Sequence, residues 1–359
     1  MNSYSLQDFD YMLPSDLIAN APATPRDSAR LLLLNRASGT IEHNHFSALP
    51  QLLKPDDVLV INDTKVMPSR LVVAKETGGN IELLLLESNQ ESIWKVLSKP
   101  GLKKGNVLAF GHQRLAQVIA SSDVEGIALV QFFFANNEVF SLMHAHGVMP
   151  LPPYIKSNLS QTQLKKMYQT VFARDEGSAA APTASLHFTR HILKELENKG
   201  VTIVPITLSV GLGTFKSLTH ASINQSELHA EHYFIPPSTA QTLFQAKKEG
   251  KRIVAVGTTV TRALESSAQE LLVGKNSGEW QTTKLFIKPS YQFKLVDSLI
   301  TNFHLPQSSL LMLVSAFCSA PNSHESFNSF ARSMLGHTYQ QAIENQYRFF
   351  SFGDAMLIE

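Results

Sequence analysis

Between about Lys54 and Phe134 the chain reads as one short strand after another: VLVIN (58–62), NIELLLLE (80–87), WKVLS (94–98), VLAFG (107–111), LAQVIA (115–120) and IALVQFFF (127–134). Gly78–Gly79, Pro100–Gly101, Lys104–Gly105 and Glu125–Gly126 punctuate them, and no convincing helical period intervenes. Apolar runs at this spacing, bounded by turn formers, predict a small antiparallel barrel or sandwich.

Beyond Leu142 the pattern changes. FTRHILKELENKG (188–200) places Phe188, Ile192, Leu193 and Leu196 on one helical face and stops at Gly200. VTIVPITLSV (201–210) reads as a buried strand, STAQTLFQAKKEG (238–250) as a helix, RIVAVG (252–257) as a strand and TTVTRALESSAQE (258–270) as a helix. Such alternation with short connections predicts parallel pairing with helices outside. Helical stretches are expected at about 307–318, 324–335 and 339–350, with a last strand at 355–359. The expected fold is an α/β body, mostly parallel strands with flanking helices, carrying an inserted small all-β barrel. Its expected bounds are 1–54 and 142–359 for the body and 55–141 for the barrel.

A chain of 359 residues, 43% hydrophobic and 17% charged, has the length for two domains and the apolar content for a core. The longest apolar run, Leu310 to Cys318, is too short to cross a bilayer, and the N-terminus lacks the basic-then-apolar order of a signal peptide. A soluble cytoplasmic protein without membrane contact is expected. Cys318 is the sole cysteine, which excludes an internal disulfide, and its place at the end of an apolar run marks a core thiol. The net charge of +1 leaves phosphate-rich partners to local patches, not to an overall field.

Several stretches could carry chemistry. VGLGTF (210–215) directly follows a strand; its Gly-x-Gly admits a ligand to backbone amides, and it equally fits a plain tight turn. In VGTTVTRALE (256–265) a strand ends at Gly257, and Thr258–Thr259 can cap a helix whose first amides suit an anion or a nucleoside edge. Arg262 and Glu265 follow one turn later, and a spaced surface ion pair is the plainer reading. LHAEHYFI (228–235) does not keep the zinc spacing His-Glu-x-x-His. If extended, it sets His229 and Glu231 on one face, suited to proton transfer, with His232 pointing away.

The loop QTVFARDEGSAAAPTASLHFT (169–189) is rich in small residues around Pro182, which lets backbone approach a flat ligand, with Phe188 available to stack. Tyr168, Gln169 and His187 flank it; a flexible linker is the alternative. INDTKVMPSRL (61–71) offers Asp63, Lys65 and Arg70, either a solvated loop or phosphate and substrate contacts. In TNFHLPQSSLLMLVSAF (301–317) Pro306 suits the first turn of a helix and Gln307–Ser309 can satisfy its amides. The apolar helix would then anchor the direction of Asn302 and His304.

Together these stretches resemble one family, the S-adenosylmethionine:tRNA ribosyltransferase-isomerases of queuosine biosynthesis. The likeness runs from DFDYMLPSDLIA (8–19) and RDSARLL (26–32) through VINDTKVMPSRL (60–71), GVMPLPPYI (147–155), AAPTASLHFT (180–189), VGLGTF, HAEHYFI (229–235) and VAVGTTVTRALE (254–265) to VDSLITNFHLPQSSLLMLVSAF (296–317) and YRFFSFGDAMLI (347–358). The family usually has His at Ser209, Pro near Ser217, and Gly at Ser185 and Ser290.

The resemblance implies ribosyl transfer from S-adenosylmethionine to 7-aminomethyl-7-deazaguanine at the wobble position of tRNA, with isomerisation to epoxyqueuosine and release of adenine and methionine. S-adenosylmethionine would be a co-substrate, with no true cofactor and no metal. A base near the sulfonium and an acid near adenine are needed. The expected donor site is the apex of Gly211, Gly213, Thr214, Phe215, Gly257, Thr258, Thr259 and Asn302. Proton-transfer candidates are His187, His229, Glu231 and His304, unranked. Asp63, Lys65, Arg70, Tyr168, Gln169, Phe188 and Arg262 are candidate tRNA or substrate contacts. A monomer with modest, shallowly salt-dependent tRNA affinity is expected. The rivals are an S-adenosylmethionine-dependent tRNA methyltransferase, whose usual Gly-rich loop is not evident, and a non-catalytic tRNA-binding module, which would be more basic.

Overall fold

The structure, a computed structural model, describes residues 4–89, 91–122, 126–209 and 227–359. Its strands are β1 (Arg30–Leu34), β2 (Ile41–His45), β3 (Val58–Asn62), β4 (Thr64–Val66), β5 (Arg70–Lys75), β6 (Asn80–Ser88), β7 (Ile93–Lys99), β8 (Val107–Phe110) and β9 (Gln113–Ser121). They continue as β10 (Ile127–Phe132), β11 (Asp175–Ser178), β12 (Thr202–Ser209), β13 (Glu227–Phe234), β14 (Ile253–Val256), β15 (Gln281–Leu285), β16 (Ser298–Asn302) and β17 (Ala355–Ile358).

Among the described residues, nine strands form one sheet in the order β15-β13-β12-β3-β14-β16-β17-β1-β2. Its centre, β12-β3-β14-β16, is parallel; β13 and β15 on one flank and β2 on the other are antiparallel. β17 runs antiparallel to β16 and parallel to β1. The expected parallel body is therefore the middle of a mixed sheet.

Period-2 alternation divides the strand side chains between two helical layers. Val58, Val60, Ile253, Ala255 and Leu299 face the helices Pro237–Lys248, Thr258–Ser266 and Ser309–Phe317. Leu59, Ile61, Val254, Val256 and Ile300 face the helix Arg190–Lys199 together with Phe46 and Phe188. The helix Ser309–Phe317 is buried from Leu311 to Phe317, and its N-cap Ser308 accepts a bond from the Leu311 amide at 3.2 Å. A helix apolar on all sides has to sit inside the core. It starts beyond Pro306, which lies in the preceding turn.

The barrel closes through β10-β7-β6-β5-β8-β9. Trp94, Val96, Leu83, Leu85 and Val130 fill it, and Val139 and Met143 of the helix Asn136–His146 plug one end. VLVIN, expected to open this β block, instead lies between β12 and β14 in the body as β3. All five of its residues are buried, as a strand covered by helices on both faces requires. The barrel strands begin only at Arg70.

Two chain crossings join barrel and body. Arg70 and Val148 exchange backbone hydrogen bonds there, and a Cβ on Gly147 would stand 1.8 Å from the Pro68 carbonyl oxygen, so only glycine fits.

Other expectations shift. The stretch 324–335 holds a single 3₁₀ turn, Phe330–Arg332, because Ser333 caps a helix that runs Met334–Glu344. That helix starts ahead of the 339–350 expectation. The helix beginning at Thr258 breaks at Ser267. Ser290, where the resembled family usually has Gly, takes φ 80°, a left-handed conformation in which glycine is unstrained.

Candidate active site

Parallel strands β14 and β16 lie side by side, and their carboxyl ends open into a pocket. Such an opening is where ligands of open α/β sheets bind. Three pieces of chain form most of its wall, and Tyr154, Phe350 and Ser351 complete it. Gly257 (φ 95°) turns from β14 into the helix Thr258–Ser266, presenting Thr258, Thr259 and the first helical amides to the pocket. Gly257 is itself the N-cap and no side-chain cap bond forms, so the two threonines are not the cap that their position suggested; both line the pocket instead. From the end of β16 come Thr301 and Asn302, and from the chain just after it His304. The third wall is the small-residue segment Ala181–Ala184, close enough that a Gly257 Cβ would touch the Ala184 methyl at 3.9 Å.

His304 is held at every polar atom of its backbone. Its amide donates to Tyr339 Oη at 2.9 Å, and its carbonyl accepts from Tyr11 Oη at 2.5 Å. Its Nε2 lies 2.8 Å from Thr301 Oγ1. Burial pushes its imidazole down to about 3, so the ring is neutral. Phe303, between the two polar residues, turns into the core against Tyr339, Tyr347 and Phe349.

Asn302 ties the walls together. Its Oδ1 accepts from Thr183 Oγ1 at 2.8 Å, and its Nδ2 donates to the Asp354 carbonyl and faces His187 Nε2, both at 3.3 Å. An amide so committed is a brace for the pocket wall. His187 sits behind it, buried; burial lowers it to about 4, Asp354 opposing and Arg348 and Arg26 adding to the fall. Arg26 in turn donates to the carbonyls of Lys166, Met167, Gln169 and Leu186, fixing the loop that carries His187.

The other expected residues fall elsewhere. Glu231 forms a buried ion pair with Arg262, one turn into the helix that Gly257 starts, so the two brace β13 against that helix. Arg262 is thereby turned inward, away from a surface contact with tRNA. Glu265, expected as its spaced partner, instead accepts the amides of Lys294, Leu295 and Val296 and the Tyr291 hydroxyl. His229 is exposed on β13. Asp63 accepts from Thr207 at 2.7 Å and pairs with Arg174; burial raises its carboxyl nonetheless. Lys65 pairs with Glu176, and Arg70 with Glu82 and the Leu151 carbonyl. Gln169 bonds both backbone groups of Val66, while Tyr168 and Phe188 are core residues, Phe188 packing on Phe46 and Phe172. Gly211, Gly213, Thr214 and Phe215 lie outside the described residues.

Sequence reading missed Tyr11, Tyr339, Thr183 and Asp354. Tyr11 stands in the DFDYMLPSDLIA stretch, but nothing local signals a bond to a carbonyl 293 positions away. A second cleft of about 840 Å³ separates barrel from body; Lys95, Phe140, His232 and the exposed Trp280 line it, and His232 pairs with Glu87 across it at 3.1 Å. Cys318 is buried, its thiol pushed up to about 12 by burial, as an inert core thiol should be. Among the described residues no helix is long and apolar enough to cross a membrane.

A mixed sheet with a ligand pocket at its parallel centre and a closed barrel set into the chain defines a two-part α/β protein. Residues 6–358 match the family described as queuosine biosynthesis protein. A relative from Halothermothrix orenii, named S-adenosylmethionine:tRNA ribosyltransferase-isomerase, is 44% identical over 98% of this chain and 99% of its own. One of the same name from Desulforamulus reducens is 46% identical over 98% and 99%. The crystal structure of S-adenosylmethionine tRNA ribosyltransferase from Thermotoga maritima is 34% identical, with a TM-score of 0.52, over 98% of this chain and 100% of that one. The chain belongs to the queuosine biosynthesis protein family.

Proposed function

We propose that the chain transfers and isomerises the ribosyl group of S-adenosylmethionine onto 7-aminomethyl-7-deazaguanine at the tRNA wobble position, releasing adenine and methionine. The observation that carries this reading is the convergence of the Gly257–Thr259 helix start, His304 and the Ala181–Ala184 segment on one pocket. Small residues admit a flat purine, and helix amides with two hydroxyls supply donors to it. S-adenosylmethionine is the donor substrate and no further cofactor takes part. The sulfonium acidifies its neighbouring C–H, so a protein base suffices there.

Of the four proton-transfer candidates, His304 lines the pocket, and His187 stands one layer behind it through Asn302. The tRNA partner engages the protein as a cytoplasmic monomer. Replacing His304 by Ala slows single-turnover adenine release by roughly 100-fold while S-adenosylmethionine binding is kept. A full rate in that variant would remove His304 from the mechanism. Release of S-adenosylhomocysteine in place of adenine would make the chain a methyltransferase.

A further inference from the structure

The open question at this pocket is which ring nitrogen of His304 bears the proton. The ring is neutral, so one nitrogen is protonated and the other bare. Nε2 faces the Thr301 hydroxyl at 2.8 Å, and two arrangements satisfy that contact. If Nε2–H donates to Oγ1, the hydroxyl hydrogen of Thr301, a residue only 1% exposed, is left without an acceptor among the described residues. If Oγ1–H donates to a bare Nε2, that penalty vanishes, and the proton sits on Nδ1. Nδ1 has no partner among the described residues, and His304 lines the pocket, so this nitrogen is the one available to a ligand. The hydrogen bonds of Tyr11 and Tyr339 fix the backbone that carries the ring, and the Thr301 contact sets the ring itself.

We propose that Thr301 is a positioning residue that holds His304 in the Nδ1–H tautomer, so that the neutral imidazole acts as a hydrogen-bond donor to the departing purine and not as the base. In the cleavage step the purine leaves with the bonding electron pair, held by Nδ1–H. It takes the proton that makes it neutral adenine from solvent water, while the proton removed beside the sulfonium goes to a separate base. The Nδ1–H bond strengthens as negative charge develops on the purine nitrogen when the glycosidic bond breaks, the action expected of a preorganised donor. The base that takes the proton beside the sulfonium is then a different group. This inference rests on the ribosyl-transfer reading of the pocket.

The test uses full-length protein labelled with ¹⁵N-histidine, with His304→Gln to assign the ring signals. Long-range proton–nitrogen correlation is expected to show Nδ1 protonated and Nε2 bare in the wild type and in Thr301→Ser. In Thr301→Val that pattern is lost, and single-turnover adenine release slows roughly tenfold or more with S-adenosylmethionine affinity unchanged. Thr301→Ser, which keeps the hydroxyl, restores both. An Nε2–H signal in the wild type, or a Thr301→Val protein as fast as the wild type, overturns the proposal. The tautomer is read without turnover, so a wild type that releases no adenine defeats the ribosyl-transfer reading separately.

Discussion

His187 and His304 sit inside the fold as neutral rings, with values lowered to about 4 and about 3 from an ordinary 6.5. The sign of the consequence follows from where protons bind. Below pH 6.5 the unfolded chain takes up two protons that the folded chain refuses, so stability falls as the pH drops from about 6.5 towards 4. Each histidine adds a slope approaching about 1.4 kcal/mol per pH unit in the middle of that window. Above pH 6.5 neither contributes. Urea titrations at pH 7, 5.5 and 4.5 should therefore show a shallower loss in His187→Gln/His304→Gln than in the wild type; equal slopes would contradict the neutral assignment. His304 was legible in the sequence because a polar residue set against Pro306 and an apolar run needs a reason to be there. Glu231 and Arg262 were both legible as notable, but not as partners. They belong to different elements, and their pairing depends on how β13 lies against the helix Thr258–Ser266.

At the scale of elements, a single carboxylate organises the approach to the pocket. Glu265, buried on the helix that starts at Gly257, gathers the consecutive amides of Lys294, Leu295 and Val296, the lead-in to β16. The same helix thus offers its first turn to the pocket and its last turn to the strand that delivers Thr301 and Asn302. Glu265→Ala strands those amides and should lower unfolding stability by about 3 kcal/mol, read from the urea midpoint. A change under 0.5 kcal/mol would show that the amides find other partners. The helix and strand of residues 190–209, the strand 253–256 and five barrel strands were readable from period and punctuation alone. The misplaced VLVIN and the missing helix at 324–335 share a cause. A short apolar run does not say which sheet will take it, and a weak helical period yields to a nearby cap such as Ser333.

For the whole molecule, the barrel leaves the body after β4 and returns at Gly147; every residue that lines the pocket follows this insertion, while Tyr11 from before it holds the His304 carbonyl in place. Its walls come from chain positions as far apart as Tyr154 and Phe350. Composition and charge cannot reveal such a convergence; sheet order does, by setting β14 beside β16 and β16 beside β17. That is why ordered motifs along the full length pointed to the reaction while the roles of Asn302, Phe188 and Arg262 emerged only from packing. The central claim is tested most directly by incubating the wild-type protein with S-adenosylmethionine and tRNA bearing 7-aminomethyl-7-deazaguanine, then digesting the tRNA for nucleoside mass spectrometry. Epoxyqueuosine in the digest, with adenine and methionine released in equal amount, is the predicted result. An unchanged precursor nucleoside, or a methylated one accompanied by S-adenosylhomocysteine, would contradict it.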